Sequence, residues 1–307
     1  HDAIPLGWEE LYSGSLGALG EVDTYTFTAT AGDTVFIRMS QGTSEIDPEI
    51  RLFSPTYTDL VSGYGGYDVE KSFSLPESGT YTLLTDDNGG GDMGFYVIYI
   101  QRLNNPVHDA TPLGWEELYS SSLGALGEVD TYTFTATAGD TVFIRMSQGT
   151  SEIDPEIHLF SLTYTLLVSN YRGYDVEKSF SLPESGTYTL LTDDNGGGDM
   201  GFYVIYIQRL NNPVHDAIPL GWEELYSGSL GALGEVDTYT FTATAGDTVF
   251  IRMSQGTSEI DPEIRLFSPT YTDLVSGYGG YDVEKSFSLP ESGTYTLLTD
   301  DNGGGDM

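Results

Sequence analysis

The sequence predicts an all-β fold: tandem antiparallel β-sandwiches, jelly-roll-like, with about eight strands each. Three observations predict it. The chain copies itself at a long fixed period, short alternating apolar and polar stretches fill each copy, and Gly, Asn, Asp and Pro clusters separate those stretches.

His1, His108 and His215 open copies at a period of 107 residues. A unit of that length can bury its own core, so the reading is three beads: 1-107, 108-214 and 215-307, the last without its final strand. Copies one and three are identical over the 93 residues they share. Copy two differs at seven positions, where Thr111, Ser121, His158, Leu162, Leu166, Asn170 and Arg172 replace Ile4, Gly14, Arg51, Pro55, Asp59, Gly63 and Gly65. Most of these lie between His158 and Arg172, and a change such as Asp59 to Leu166 predicts an exposed or lightly packed face there. The connector NNPVHDATPLG, Asn104 to Gly114, carries prolines that stiffen it.

Within a copy the first strand is expected near Leu11 to Leu16. DTYTFTATAGDTVFIRMS follows from Asp23. Tyr25, Phe27 and Ala29 point one way and the threonines the other, then Ala31-Gly32-Asp33 turns the chain into Val35, Ile37 and Met39. That pattern predicts a hairpin. Further strands are expected at Glu49 to Phe53, Leu60 to Tyr64, Lys71 to Leu75, Thr80 to Leu84 and Phe95 to Arg102. The last of these, GFYVIYIQRL, is apolar on both faces. Its second face is covered either by a loop or linker of its own bead or by a neighbouring repeat or chain.

A formal charge of −36, from 47 acids against 11 bases, excludes ordinary nucleic-acid and anionic-membrane binding and makes cations the natural partners. No apolar run reaches membrane-spanning length, so no membrane insertion is expected. Zero cysteines removes disulfides and thiolate metal sites. The start at His1 has neither a basic segment nor an apolar signal core and reads as a processed product or a fragment.

The chemistry-bearing candidates are few. The stretch Asp86-Asp87-Asn88-Gly89-Gly90-Gly91-Asp92, repeated with Asp193, Asp194, Asn195 and Asp199, offers hard oxygen donors and permissive glycines. It reads either as a long hairpin turn or as a calcium-binding turn. Asp2, Glu9, Glu10, Glu21 and Asp23 form a second acidic group near the linker. The histidines lie without a nucleophile constellation, and pairs such as Glu9-Glu10 read as solvated surface rather than as glycosidase acid and base. Lys71, Lys178 and Lys285 read as surface lysines rather than isopeptide donors.

Gly14-Ser15-Leu16, Asp23-Thr24-Tyr25-Thr26-Phe27, Ala31-Gly32-Asp33, Asp47-Pro48-Glu49-Ile50-Arg51-Leu52, Gly79-Thr80-Tyr81-Thr82-Leu83 and Gly94-Phe95-Tyr96 together resemble the bacterial pre-peptidase C-terminal (PPC) domain family. The resemblance covers nearly all of each copy. It implies a secreted β-sandwich of the kind appended to extracellular proteases and collagenases, which binds or spaces rather than catalyses. It also implies calcium near the N-terminal linker, as in some relatives, with Asp23 and its equivalent Asp130 as the aligned candidate ligands. No peptidase precedes the module and the copies are nearly unchanged, which favours a structural role over a protease accessory.

The functional expectation is a non-enzymatic structural repeat protein of an extracellular filament, stalk or surface layer at the cell surface, with calcium as stabilising cation and further copies of itself as partners. The alternative is an adhesin-like array that binds polysaccharide or protein through Tyr57, Tyr64 and Tyr67. The third copy, lacking a final strand, is expected to be completed by continuing sequence beyond Met307 or by a strand from another subunit.

Overall fold

The computed structural model describes residues 2–42, 45–149, 152–256 and 259–303. The expectations that concern His1 and the ending at Met307 fall outside them. Repeat 1 forms nine strands: β1 Ile4–Pro5, β2 Leu11–Leu16, β3 Asp23–Ala29, β4 Thr34–Ser40, β5 Pro48–Phe53, β6 Asp59–Tyr64, β7 Asp68–Ser74, β8 Gly79–Asp87 and β9 Gly94–Arg102. Repeat 2 matches it with β10 Thr111–Pro112, β11 Leu118–Leu123, β12 Val129–Ala136, β13 Thr141–Ser147, β14 Pro155–Phe160, β15 Leu166–Tyr171, β16 Asp175–Ser181, β17 Gly186–Asp194 and β18 Gly201–Arg209. Repeat 3 has β19 Ile218–Pro219, β20 Asp237–Ala243, β21 Thr248–Ser254, β22 Pro262–Phe267, β23 Asp273–Tyr278, β24 Asp282–Ser288 and β25 Gly293–Asp301.

Each complete repeat is a two-sheet sandwich. In repeat 1 a five-stranded sheet, β1-β3-β8-β5-β6, faces a four-stranded one, β2-β9-β4-β7, and repeat 2 is built the same way. All pairings are antiparallel except that of β1, which lies parallel to β3 through Ile4 and Tyr25. The core between the sheets follows the alternation: Tyr25 and Phe27 of β3, Val35, Ile37 and Met39 of β4, Ile50 and Leu52 of β5, Tyr81 and Leu83 of β8, and Tyr96, Ile98 and Ile100 of β9. Burying each large side chain of this kind is worth about 1.5–3 kcal/mol. In repeat 3 the described residues of the second sheet are β21 and β24 alone, and the segment equivalent to β2 is not a strand.

Two expected hairpins are absent. β3 and β4 do not pair; Ala31-Gly32-Asp33 carries the chain from one sheet to the other. The glycine-rich stretch likewise crosses between sheets, from β8 to β9, and β8 runs on through Asp86 and Asp87. Alternation along a strand reports which face is buried, but it does not report which neighbour takes the backbone hydrogen bonds. The local hairpins that do form are β5–β6 and its equivalents.

Candidate functional site between the repeats

The second apolar face of β9 is covered by the next repeat. Phe36, Tyr99 and Leu103 of repeat 1 pack with Val129, Phe160 and Leu191 of repeat 2, and Leu11 and Tyr164 lie at the margin. The same contact recurs one period on, where Phe143, Tyr206 and Leu210 meet Val236, Phe267 and Leu298. The four-stranded sheet of one repeat therefore stacks on the five-stranded sheet of the following repeat. Gln101 donates to Thr131 at 2.9 Å across the first junction, and Gln208 to Thr238 at 2.9 Å across the second.

Arg38 lies at the centre of the first junction. β4 is apolar towards its own core at Val35, Ile37 and Met39, so Phe36, Arg38 and Ser40 point outward into repeat 2. Its guanidinium donates to Asp68 Oδ2 at 2.8 Å, lies 3.2 Å from Glu70, 3.4 Å from Asp193, and donates to the carbonyl of Asp194. Burial by itself disfavours the charge, but Asp193, Glu70 and Asp68 outweigh it and hold Arg38 protonated. Arg145 repeats the arrangement with Asp175, Glu177, Asp300 and the carbonyl of Asp301.

The junctions differ at one buried position. Arg265 of repeat 3 reaches Glu177 of repeat 2 and also pairs with Asp273 at 3.2 Å. In repeat 2 the equivalent residue is His158. Its Nε2 lies 2.9 Å from Glu70, 3.5 Å from Asp193 and 3.6 Å from Glu156. Two donor sets come within 4.8 Å among the described residues: Glu70, Glu156, His158 and Asp193, and Glu177, Glu263 and Asp300. Burial and the neighbouring Asp193 and Glu70 push the Glu156 carboxyl up to about 9. Burial pushes Asp193 and Asp300 up as well.

The acidic glycine-rich stretch is part of this junction. Asp193 belongs to β17 and is fully buried against repeat 1, whereas its equivalent Asp86 in repeat 1 is only half-buried, beside Glu49. Asp87 and Asp194 serve as turn acceptors. Asp87 takes the amides of Asp47, Gly91 and Asp92, and Asp194 takes those of Asp154 and Asp199, with burial raising Asp194 to about 6. Asn88 and Asn195 are held by their amides on the carbonyls of Asp47 and Asp154. Asp92 and Asp199 contribute backbone amides to the same turns. The Gly196 amide donates to Asp68 of repeat 1 at 3.1 Å, and Gly303 makes the same bond to Asp175 at 2.6 Å.

The linker acids are also engaged by the protein. Glu9, at a left-handed φ of 59°, accepts from the amides of Val107 and His108 at 2.5 and 2.8 Å and meets His108 Nδ1 at 2.9 Å; Glu116 does the same for Val214 and His215. Glu10 accepts from Tyr12, and Glu21 from the amides of Gly17 and Ala18. Asp23 accepts from Tyr96 at 2.5 Å, and Asp130 from Tyr203 and Ser121. Of all the expected ligands, Asp193 alone falls within one of these donor sets among the described residues.

The face predicted to be exposed is exposed only in part. Leu166 is 44% accessible and Asp59 is exposed, but His158 on the neighbouring strand is buried against repeat 1. Arg172, which replaces Gly65, lies with its guanidinium 5.9 Å from the Tyr278 ring of repeat 3. Two of the seven differences of copy two, His158 and Arg172, thus meet its neighbours. Arg38, Glu70 and Glu156 carried no motif; the signal that could have found them is Phe36-Arg38-Ser40, a second outward face on β4 that matches the doubly apolar β9.

The bacterial pre-peptidase C-terminal domain family matches three times in tandem, over residues 21–86, 128–193 and 235–298, together more than half of the chain. The chain belongs to this family. Among solved structures, the pre-peptidase C-terminal domain of a Bacillus anthracis collagenase is 22% identical, with 34% of this chain and all of that domain covered at a TM-score of 0.29. PliG of Aeromonas hydrophila, a periplasmic inhibitor of g-type lysozyme, is 16% identical over 32% of this chain and 96% of its own, at 0.25. CorA, a surface-associated copper-binding protein of Methylomicrobium album BG8, is 10% identical over 33% and 98%, at 0.25. No curated protein matches the chain.

Proposed function

We propose that this chain is a non-catalytic structural array of an extracellular stalk, filament or surface layer, in which PPC sandwiches stack head to tail. The observation that carries it is the recurring junction. The same two non-equivalent faces meet between repeats 1 and 2 and between repeats 2 and 3, with an apolar cluster and a buried arginine each time. A heterologous contact of this kind does not close on itself and propagates a column, so further copies of the chain are its natural partners. The free five-stranded face of repeat 1, with Phe53 and Leu84 half-buried, is the face that receives a neighbour in the other two repeats. Membership of the PPC family supports an extracellular location and a spacing rather than a catalytic role. The net charge of −36 favours a divalent cation such as calcium to screen such a column.

Small-angle scattering tests the column. The whole chain is expected to scatter as one rigid rod, and Phe36→Asp with Phe143→Asp as loosely linked beads that keep their β spectrum. Flexible scattering from the unaltered chain would defeat the reading. Removing calcium with a chelator is expected to lower the melting temperature, and superimposed curves would remove calcium from it.

A second reading, an adhesin-like array, is favoured by one observation. Tyr57, Tyr64 and Tyr67 are all well exposed, and Tyr171, Tyr174, Tyr278 and Tyr281 repeat the last two of these along the column. Affinity for a polysaccharide or protein that rises steeply with repeat number would support it.

A further inference from the structure

We propose that the junction between repeats 1 and 2 is a site for one divalent transition-metal ion of the zinc class, bound by Glu70 of repeat 1 and by Glu156, His158 and Asp193 of repeat 2. It needs these two repeats docked as the structure shows them, and it does not depend on the extracellular-array reading.

Donor spacing is the first support. A tetrahedral ion with bonds of about 2.0 Å has donor atoms about 3.3 Å apart. His158 Nε2 stands 2.9, 3.6 and 3.5 Å from oxygens of Glu70, Glu156 and Asp193, and all four donor atoms lie within 4.8 Å of one another. Side chains on three strands of two sandwiches therefore converge around one point, and each oxygen stands from Nε2 at close to the tetrahedral spacing.

Unsatisfied buried atoms are the second and independent support. Asp193 is wholly buried, yet among the described residues its two carboxylate oxygens meet only Arg38 at 3.4 Å and His158 at 3.5 Å, neither contact having the geometry of a hydrogen bond, and the 2.9 Å approach of the buried His158 Nε2 to Glu70 lacks it too. Buried polar atoms held by ion pairs alone, without hydrogen-bond geometry, are incompletely satisfied, and a shared ion would satisfy all three at once.

Charge at the two junctions supplies the third. In the downstream junction Asp175, Glu177, Glu263 and Asp300 face two permanent cations, Arg145 and Arg265. Upstream, Asp68, Glu70, Glu156 and Asp193 face one permanent cation, Arg38, and the imidazole of His158 where the second arginine would stand. Copy two thus exchanges a permanent cation for an imidazole, which gives up its proton when its nitrogen ligates, and a divalent ion supplies positive charge in that proton's place. An imidazole among carboxylates suits zinc better than calcium, which takes six to eight oxygens.

Zinc titration of the intact chain, followed by calorimetry and elemental analysis, tests this. The expected result is one zinc per chain, a ligand-field absorption of tetrahedral type when cobalt replaces it, and no displacement by excess calcium. His158→Arg, which installs the residue that copies one and three carry, should bind zinc at least tenfold more weakly and lose the cobalt band. Glu70→Gln should weaken binding in the same direction from the other repeat. No stoichiometric zinc in the unaltered chain, or equal binding by the folded His158→Arg chain, overturns the site. Should His158→Arg fail to fold, the imidazole nitrogen resonance of His158 decides: a zinc-dependent shift supports ligation, and an unmoved resonance refutes it. Scattering on the same samples separates loss of the ion from loss of docking.

Discussion

Tyr96 shows how much one residue settles in this fold. Its ring fills the core of repeat 1 while its hydroxyl donates to Asp23 at 2.5 Å, meets the Tyr25 hydroxyl at 2.7 Å and lies 3.3 Å from Thr85. Burial and the hydrogen bond to Asp23 push its phenol far up, so it stays a neutral donor at every practical pH. Tyr96→Phe keeps the ring and removes the donor, which leaves the Asp23 carboxylate and the Tyr25 hydroxyl short of a partner. The expected loss is about 1–3 kcal/mol of unfolding free energy, read by denaturant titration. A variant as stable as the parent would mean that water replaces the bond. Asp23 was legible as an important acid because it sits in a strong motif. Its partner 73 residues away was not, since nothing local marks which tyrosine crosses the core to meet it.

At the scale of the element, the β17–β18 connection is the informative one. Gly197 has φ +64°, and a Cβ there would stand 2.5 Å from Ser40 Oγ of repeat 1 and 3.1 Å from the backbone of Gly127. Gly90, the same residue in repeat 1, has φ +65°, and its nearest obstacle is its own repeat's Gly20 at 3.2 Å. Both alanine variants carry backbone strain, of order 1 kcal/mol, and Gly197→Ala must also push the two repeats apart. Gly197→Ala is therefore expected to lower the melting temperature further than Gly90→Ala and to loosen the scattering profile, which Gly90→Ala should leave unchanged. Equal effects would show that close approach between repeats does not matter. The glycine run read as a long hairpin turn or a calcium-binding turn; it turns the chain, but from one sheet to the other rather than into a hairpin. What escaped the sequence was the direction of the crossing: Gly, Asp and Asn license left-handed backbone equally for a hairpin and for a passage between sheets.

The whole molecule behaves as a stack whose junctions hold charge away from water, and this makes its docking pH-dependent. Burial and the facing Glu177 raise the Glu263 carboxyl to about 7, against the lowering influence of Arg265, Arg145 and Arg172. Asp300, also raised by burial, faces the same group of charges. The folded junction keeps a proton that the unfolded chain releases near the ordinary carboxyl value of 4.5. Between that value and about 7 the folded form binds more protons, so stability falls as pH rises through this window and the loss is complete above it. Melting temperatures across the window should decline for the unaltered chain and decline less for Glu263→Gln. Parallel slopes would remove Glu263 as the cause.

The division between sequence and tertiary structure is unusually clear here because copies one and three are the same over 93 residues. By itself the sequence determined the repeat, the strands and the inward faces of each sandwich. Alternation is a local property, and a strand that buries one face must show it in every second residue. It also determined the excess of acid, 47 acidic residues against 11 basic ones. Tertiary structure alone decided which outward faces are surfaces and which are junctions. Phe36 is 2% accessible and Phe250, in identical surroundings along the chain, 63%; the Arg38 side chain is 1% accessible and that of Arg252 51%. One copy has a following repeat stacked on that face, and the other has none among the described residues. Burial against a neighbour depends on where the neighbour stands, and a residue's own sequence context does not encode that.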